Sequence, residues 1–312
     1  MKSLIVPVNT TPARALPARF RRQRLLIVGF GDVGARVAQQ LPAGVRLLAL
    51  TRYSERVDAI RRAGVLPLVG DLDVASTLRR LAGLAHRVLH LAPPAPHGTT
   101  DERTRRLLQA LSRRRRPHSL VYVSTSGVYG DCGGAWVGEA RTPVPQTPRA
   151  VRRLHAERLV RSWSAAGGLC ASVLRVPGIY AHDRADAGPR ARLAGRLPVL
   201  ASSEDVYTNH IHADDLARAC LRAVWLGRSQ RVYNVNDDTT LKMGDYFDLA
   251  ADVYRLERPP RMSRQDLARI VSPMQLSFMS ESRRMRNDRL KRELRFALRY
   301  PTVVDGLRQS TP

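Results

Sequence analysis

The sequence has almost no lysine and is poor in acids and aromatic side chains. Only Lys2, Lys242 and Lys291 are lysines among the 52 basic residues of the 312-residue chain, and 27 acidic residues leave a formal net charge of +25. Aromatic residues make up 5% of the chain. Because the arginines are scattered and no aromatic residues are interleaved with them, we predict that nucleic acid is not a partner. We interpret the charge chiefly as a compositional bias.

Cysteines and long apolar runs are also scarce. Cys132, Cys170 and Cys220 are odd in number and far apart, so we expect neither a disulfide framework nor a metal site. No apolar run approaches the roughly 18 residues of a membrane span. The apolar stretch at 4–8 is shorter than the core of a signal peptide. The sequence therefore predicts a cytoplasmic protein that makes no membrane contact.

The chain divides into a tail, a regular middle part and a less regular remainder. Residues 1–23 are basic, contain no acid and are predicted to be a flexible tail. Over 24–176, short apolar runs alternate with helical stretches, which predicts six strands and five crossovers. The expected fold class is α/β, a Rossmann-type doubly wound parallel sheet to which residues 206–236 return. Residues 177–205 and 237–312 are expected to form a smaller, mainly helical C-terminal lobe that binds substrate.

A glycine-rich turn follows the first predicted strand. Residues 25–34 read LLIVGFGDVG, an apolar strand that leads through G-x-G-x-x-G into a helix. The first glycine permits the tight turn, the second lets the backbone approach a pyrophosphate, and the third lets the helix pack closely on the strand. The pattern predicts a dinucleotide site, whose candidate residues here are Gly29, Phe30, Gly31, Asp32, Val33 and Gly34.

The ends of the next strands supply the other cofactor candidates. Thr51 and Arg52 stand where an NAD site usually has an acid for the ribose hydroxyls. An arginine suits the 2′-phosphate of NADP, so we predict NADP in preference to NAD, although Arg52 is also one arginine among many. The third and fourth strands are followed by Asp71, Leu72, Leu91 and Ala92, which are expected to face the ligand. Asp71 either accepts from the adenine amino group or caps the segment after it.

Further segments occur in a recognisable order along the chain. They are STSGVYG at 124–130, LRVPGIY at 174–180, NHIHADDLA at 209–217, YNV at 233–235 and NDRLKREL at 287–294. With the glycine turn, they resemble the extended short-chain dehydrogenases, the NAD-dependent epimerase/dehydratase family, over about residues 24–308. The resemblance implies an oxidoreductase or epimerase/dehydratase-like protein that acts on a small carbonyl, hydroxyl or sugar-nucleotide substrate. It is compatible with a homodimer and implies that Thr125 is the catalytic hydroxyl.

The sequence departs from this family at the catalytic pair. The family carries Tyr-x-x-x-Lys on the helix after the fifth strand, and counting back from Glu157 places Arg149 and Arg153 at those two positions. The family's tyrosine exchanges a proton with the substrate oxygen, whereas arginine keeps its proton at physiological pH. Arg149 and Arg153 are therefore assigned electrostatic roles only, as clamps on an anionic substrate.

Two functions remain open because the usual proton donor is missing. Tyr129, four residues after Thr125, is the candidate replacement, but Tyr129 and Tyr180 equally suit aromatic packing. His210 and His212 suit polar positions near a helix cap. Either another residue supplies the proton and the chain is an NAD(P)-dependent enzyme, or the chain is a catalytically inactive protein that senses a dinucleotide.

Overall fold

The computed structural model describes residues 23–184 and 188–308, and the main chain alone of Met274. The predicted tail, except Gln23, lies outside the described residues.

A seven-stranded parallel sheet forms the centre of the fold. Its strands are β1 (Arg24–Val28), β2 (Arg46–Thr51), β3 (Leu66–Val69), β4 (Arg87–His90), β5 (Ser119–Thr125), β6 (Cys170–Val176) and β7 (Arg231–Asn234). Across the sheet they lie in the order β7-β6-β5-β4-β1-β2-β3, and each neighbouring pair is parallel. The direction of winding reverses between β1 and β4, which opens a crevice at the carboxyl ends of the strands. The predicted fold class is confirmed.

Helices cover both faces of this sheet and continue through the C-terminal part. They are α1 (Asp32–Gln39), α2 (Val57–Arg62), α3 (Glu102–Ser112), α4 (Pro148–Gly167), α5 (Pro189–Ala194), α6 (Ala213–Leu226), α7 (Met243–Tyr254), α8 (Arg264–Ile270), α9 (Pro273–Phe278), α10 (Asp288–Glu293) and α11 (Val303–Arg308). Side chains alternate along β1, so Leu25 and Ile27 pack into the core beneath α1 and α6. Leu26 and Val28 pack into the opposite core, beneath α3 and α4. Both faces of the sheet are therefore buried, which is why its strands are apolar throughout.

Several short elements are irregular. One 3-10 turn, Ser54–Arg56, precedes α2, and Ala75–Leu81 is 3-10 throughout. The C-terminal part is not purely helical, since it contributes Leu241–Lys242, Arg261–Met262 and Arg284–Met285 to two-stranded pairs with preceding loops. Two-residue strands carry no detectable period, so only the neighbouring loops decide where they form.

The C-terminal part encloses an apolar cluster of its own. Leu193 of α5, Phe247 of α7 and Val303 of α11 are buried together with Tyr180. Tyr180 ends a short strand, Gly178–Tyr180, that pairs in parallel with His210–His212. This pair places a wall of side chains above the carboxyl ends of β5 and β6. Within the described part of the chain, no helix is long and apolar enough to cross a membrane.

Candidate functional site

The glycine turn after β1 has the geometry that the sequence pattern requires. Gly29 has a φ of +93°, and a Cβ atom there would lie 2.6 Å from the main-chain nitrogen of Ala92. A Cβ atom on Gly34 would lie 3.2 Å from the Phe30 ring and 3.5 Å from Ile27, so the third glycine lets α1 pack on β1. A Cβ atom on Gly31 would meet nothing within 4 Å. The turn therefore leaves open the place where a pyrophosphate approaches the backbone.

A first cavity of about 350 Å³ extends from this turn to the ends of β2, β3 and β4. It is lined by the sequence candidates Gly29, Phe30, Gly31, Thr51, Arg52, Asp71, Leu72, Leu91 and Ala92. Tyr53, Arg56 and Arg103 also line it, although the sequence analysis did not name them as cofactor residues. Tyr53 and Arg56 closely follow Arg52 in the sequence. The position of Arg56, a second basic residue near the predicted phosphate ligand, could have identified it as a cofactor residue.

Basic and aromatic side chains together form the outer wall of this first cavity. The Arg52 guanidinium carbon lies 4.4 Å from the centroid of the Tyr53 ring, and the Arg52 side chain also contacts the Tyr53 hydroxyl. The buried Thr51 hydroxyl accepts from the Tyr53 main-chain N–H at 3.2 Å and fixes the start of the turn. Two guanidinium groups, those of Arg52 and Arg56, thus border a cavity in which Thr51 is the residue at the strand end.

Asp71 forms a hydrogen bond within the turn that follows β3, and it also lines the first cavity. Its carboxylate accepts from the Asp73 main-chain N–H at 2.9 Å, which stabilises a turn and does not cap a helix, since Val74 is the N-cap of the 3-10 helix Ala75–Leu81. Asp73 in turn pairs with Arg103 at 2.5 Å, and the Arg103 hydrogen bond lowers the pKa of Asp73. The ion pair between Asp73 and Arg103 therefore fixes the cavity wall at the end of β3 without a ligand.

A second cavity of about 310 Å³ adjoins the first and shares Gly29, Gly31 and Leu91 with it. The remaining sequence candidates Asp32, Val33 and Gly34 line this second cavity. Its opposite side carries Thr125, Arg149, Arg153 and Arg184. The twelve residues predicted to hold a dinucleotide therefore all line one groove along the carboxyl edge of the sheet. Arg184 was not among the sequence candidates, because nothing in its local sequence marks it.

The acidic residue at the start of α1 is neutralised by two arginines. Asp32 pairs with Arg36 at 3.0 Å and with Arg184 at 3.1 Å. Arg36 also pairs with Asp183 and Asp214, each at 2.5 Å. These pairs tie the segment after the strand Gly178–Tyr180 to the helix whose N-terminal N–H groups face the groove. The negative charge of Asp32 therefore does not oppose an anion at this end of the groove.

A third cavity, of about 660 Å³, joins the second at Thr125, Arg149, Pro177 and Ile179. One part of its wall is apolar and aromatic, formed by Tyr180, Met243, Tyr246, Phe247, Phe278 and Met279. The rest is polar and includes Thr147, Thr208, Asn209, Gln275 and the charged residues Arg149, Arg192, Glu281 and Arg283. A cavity of this size that combines apolar surface with polar groups suits a small molecule. We refer to it below as the inner cavity.

Thr125 occupies the junction of the second and inner cavities. It is the last residue of β5, and its hydroxyl accepts from the Gly127 main-chain N–H at 3.3 Å as the 3-10 turn Ser126–Tyr129 begins. The side chain is partly exposed to the groove. Its O–H hydrogen remains available to donate to a ligand oxygen, because the bond to Gly127 uses only an oxygen lone pair.

The two arginines at the family's catalytic positions have different surroundings. Arg153 donates to the Val123 carbonyl at 2.8 Å and to the Tyr122 hydroxyl at 3.2 Å, so its guanidinium ties α4 to β5. Among the described residues, Arg149 has no carboxylate or hydrogen-bond partner, and its guanidinium carbon lies 4.4 Å from the centroid of the Phe278 ring. Desolvation by the surrounding protein, together with the charge of Arg153, lowers the pKa of Arg149. It stays charged at neutral pH all the same.

Tyr129 lies away from the groove, which corrects the expectation that it supplies a proton there. Its ring is 1% exposed and packs with Val128, Val137 and Met285. Its hydroxyl donates to the Asn234 side-chain oxygen at 2.7 Å, and it lines none of the three cavities. Burial raises the pKa of Tyr129. The V-Y-G segment turns this side chain beneath the 3-10 turn, so closeness to Thr125 in sequence does not bring the two side chains together.

The histidines before α6 also differ from each other. His210 lines the inner cavity and stacks on Tyr246, with 3.9 Å between the ring centroids, and burial lowers its pKa to about 3. His212 caps α6 by accepting from the Asp214 main-chain N–H at 3.2 Å. Its pKa is lowered to about 4 by burial. Both rings are neutral at physiological pH. His212 was expected only to lie near a helix cap, and the structure shows that it is itself the capping residue.

Arg283 belongs to the wall of the inner cavity. Its side chain is 10% exposed and pairs with Glu281 at 2.7 Å. It also donates to the Gly130 carbonyl at 2.8 Å. The sequence analysis did not assign it to a site. No group of three or more potential metal ligands is found among the residues that the structure describes.

Comparison with known proteins places this geometry in a family. The model of the NAD dependent epimerase/dehydratase family matches residues 25–236. A GDP-6-deoxy-D-mannose reductase from Pseudomonas aeruginosa is 29% identical over 276 residues, which cover 80% of this chain and 87% of that protein.

Solved structures show the same fold. A functionally unknown conserved protein from Silicibacter pomeroyi is 28% identical, with a TM-score of 0.74 over 92% of this chain and 98% of that one. A UDP-glucuronic acid 4-epimerase from Bacillus cereus, solved with UDP-glucuronic acid and NAD, is 18% identical, with a TM-score of 0.72 over 91% and 96% of the two chains. The chain therefore belongs to the NAD-dependent epimerase/dehydratase family.

Proposed function

We propose that the protein binds NADP along the groove and acts as an oxidoreductase or epimerase/dehydratase-like enzyme on a small molecule held in the inner cavity. One observation carries the proposal. Three adjoining cavities form a single path, from Arg52 and Arg56 past Gly31 to Thr125 and Arg149, and then into the inner cavity. A path of this kind suits an extended dinucleotide at one end and a separate small substrate at the other.

The residues of the groove fit a dinucleotide. The open space at Gly31 and the start of α1 suit the pyrophosphate, since main-chain N–H groups and the helix dipole favour an anion there. Arg52 and Arg56 suit a 2′-phosphate, and Asp71 borders the adenine end. When bound, this cofactor gives or accepts a hydride. The preference for NADP over NAD rests on the two arginines and on the absence of an acid at positions 51 and 52.

The chain's own residues then orient the substrate. Thr125 donates its hydroxyl hydrogen to the substrate oxygen, and Arg149 stabilises negative charge beside it. Arg153 positions α4 through its bonds to Tyr122 and Val123 and contributes positive potential. Proton exchange at the substrate oxygen passes through the Thr125 hydroxyl to solvent, because no tyrosine is among the described residues that line the second cavity.

A second function is favoured by one specific observation. Arg149 cannot exchange a proton, and Tyr129, the phenol that the sequence suggested as a replacement donor, is buried elsewhere. A groove that retains the dinucleotide turn without a proton donor suits a protein that binds the dinucleotide and reports its presence.

A substrate screen with purified protein separates the two functions. NADPH consumption is followed with carbonyl compounds and with sugar nucleotides, which include the GDP sugars named by the Pseudomonas aeruginosa relative. Because an epimerase or a dehydratase returns its hydride and consumes no cofactor overall, the sugar nucleotides are also analysed for product by chromatography. The enzyme is supported by turnover that falls by about 10²-fold or more in Thr125→Val and is unchanged in Thr240→Val, an exposed threonine outside the groove. Tight NADPH binding without turnover of any compound supports the sensing function.

A further inference from the structure

Arg149 lies at the junction of the groove and the inner cavity, and its guanidinium N–H groups have no hydrogen-bond partner among the described residues. It lines both the second and the inner cavity. Within the described chain it forms no ion pair and no hydrogen bond, although the charge of Glu281 acts on it from a greater distance. Its guanidinium lies against the ring of Phe278, which is 46% exposed in the cavity wall. An aromatic ring under one face of a guanidinium restrains the group and leaves its N–H edge free to donate.

The other arginines around the cavity are already engaged by the protein. Arg283 pairs with Glu281 at 2.7 Å, and Arg192 donates to the Pro198 carbonyl at 2.8 Å. Arg153 donates to the Val123 carbonyl. Among these four groups, only Arg149 offers its full set of donors. A guanidinium in this state recognises a planar carboxylate through two parallel N–H···O bonds.

The rest of the inner cavity determines what is attached to that anion. Tyr246, Phe247, Phe278 and Met279 present apolar surface, and Glu281 is the one acid in the described lining. A polyphosphate would bring several negative charges to a lining that offers one free guanidinium and already holds a carboxylate. A monoanion with an apolar or aromatic body matches both the charge and the surface.

We propose that the inner cavity binds a small carboxylic acid, with the carboxylate on Arg149 and an apolar body against Phe278 and Tyr246. This assignment deepens the proposed function and rests on it in one respect, namely that the inner cavity is the substrate site. In this proposal, Arg149 selects the substrate by charge at the position where the family has a tyrosine that exchanges a proton. The site therefore discriminates between an acid and its neutral amide, which have almost the same shape.

The test is calorimetric titration of the full-length protein, saturated with NADPH, with 3-phenylpropanoate and with 3-phenylpropanamide. The acid is expected to bind at least about tenfold more tightly than the amide, since a bidentate charge-assisted pair is lost in the amide. Arg149→Gln is expected to remove this preference, and Arg149→Lys to keep part of it because the charge remains. Arg158→Gln, an exposed charge removal on the same helix, serves as the matched control and is expected to leave the preference unchanged.

Phenyl phosphate is the third ligand, and it separates carboxylate recognition from general anion recognition. Weaker binding than the acid supports the proposal, and tighter binding overturns the choice of carboxylate. Equal affinity for acid and amide, no binding of either, or a preference that survives in a folded Arg149→Gln protein overturns the site. The affinity for NADPH is measured in the same samples. If the wild-type protein does not bind NADPH, the proposed function is contradicted. If it binds NADPH but does not prefer the acid to the amide, only the carboxylate site is contradicted.

Discussion

The guanidinium carbon of Arg149 lies 4.4 Å from the centroid of the Phe278 ring. Arg149 is the second residue of α4, which packs on the central sheet, and Phe278 ends α9 in the C-terminal part. The sequence resemblance assigns Arg149 to the position of the family's phenol. We propose that this position acts through a fixed positive charge held against an aromatic ring, and not through proton exchange.

A preference for NADPH is predicted from Arg52 and Arg56. We expect NADPH to bind at least about tenfold more tightly than NADH, because two guanidinium groups border the place that we propose for the 2′-phosphate. Arg52→Ala is expected to reduce the ratio of the two affinities, mainly by weakening NADPH. Fluorescence titration of both cofactors measures the ratio. Arg62→Ala, an exposed arginine outside the groove, is the control, and an unchanged ratio in Arg52→Ala would reject the assignment.

Tyr129→Phe separates packing from catalysis. The change removes the hydroxyl that donates to Asn234 and leaves a buried carbonyl oxygen without this partner, which costs about 1–3 kcal/mol of unfolding free energy. We expect a lower melting temperature and an unchanged turnover of any substrate found by the screen. Turnover that falls by about 10²-fold in the folded variant would return Tyr129 to the mechanism.

The ion pair beneath the end of β5 is expected to be a stability determinant. Glu157 accepts from Arg175 at 2.8 Å and from the Ser124 hydroxyl at 2.6 Å, and both charged side chains are at most 4% exposed. Glu157→Gln leaves the buried Arg175 charge unpaired, at a cost of about 3–5 kcal/mol, which lowers the melting temperature by roughly 10 °C. Differential scanning calorimetry measures the shift.

Glu257→Gln is the matched control for this pair. It breaks an ion pair with Arg196 in which both side chains are more than 60% exposed. Exposed pairs contribute little, so the melting temperature is expected to change hardly at all. Similar shifts in Glu157→Gln and Glu257→Gln would contradict the assignment.

The buried ring of His210 predicts a loss of stability in acid. Its pKa is about 3 in the folded protein and 6.5 as the ordinary value, so the unfolded chain binds the proton first as the pH falls. The contribution of neutral His210 to the free energy of unfolding is complete above pH 6.5 and is lost between pH 6.5 and about 3. By pH 5 the loss is about 2 kcal/mol.

His210→Phe keeps an aromatic ring against Tyr246 and removes the titrating group. The difference in unfolding free energy between pH 7 and pH 5 is therefore expected to be smaller in the variant by about 2 kcal/mol. Urea unfolding at the two pH values measures it. The same pH dependence in both proteins would show that His210 is not the group responsible.

The regular part of the fold could be predicted from sequence because its signals are local. Each buried strand is an apolar run, and the glycine turn has a defined spacing, so the twelve cofactor candidates all line the groove. Arg184 and Arg103 reach the groove from elsewhere in the chain, and no local pattern marks them. Their positions depend on ion pairs with Asp32 and Asp73, which form only in the folded protein.

The inner cavity was less accessible to sequence reasoning. Phe278, Glu281 and Arg283 come from the irregular C-terminal part, where short helices and two-residue strands have no period. Tyr129, in contrast, was assigned to the site from the sequence and lies outside it. Its closeness to Thr125 along the chain suggested a shared site, but the 3-10 turn between them sends the two side chains to different places.

The most direct measurement of the central claim is the dissociation constant of NADPH in Gly31→Val. Gly31 has ordinary extended φ and ψ, and a Cβ atom there would meet nothing within 4 Å, so the variant is expected to fold. Its side chain would occupy the space assigned to the pyrophosphate. Gly138→Val is the matched control, since Gly138 is equally open and lies outside the groove. The account predicts tight NADPH binding in the wild type and in Gly138→Val, and a loss of about 10²-fold or more in Gly31→Val. Equal NADPH affinity in all three proteins would contradict it.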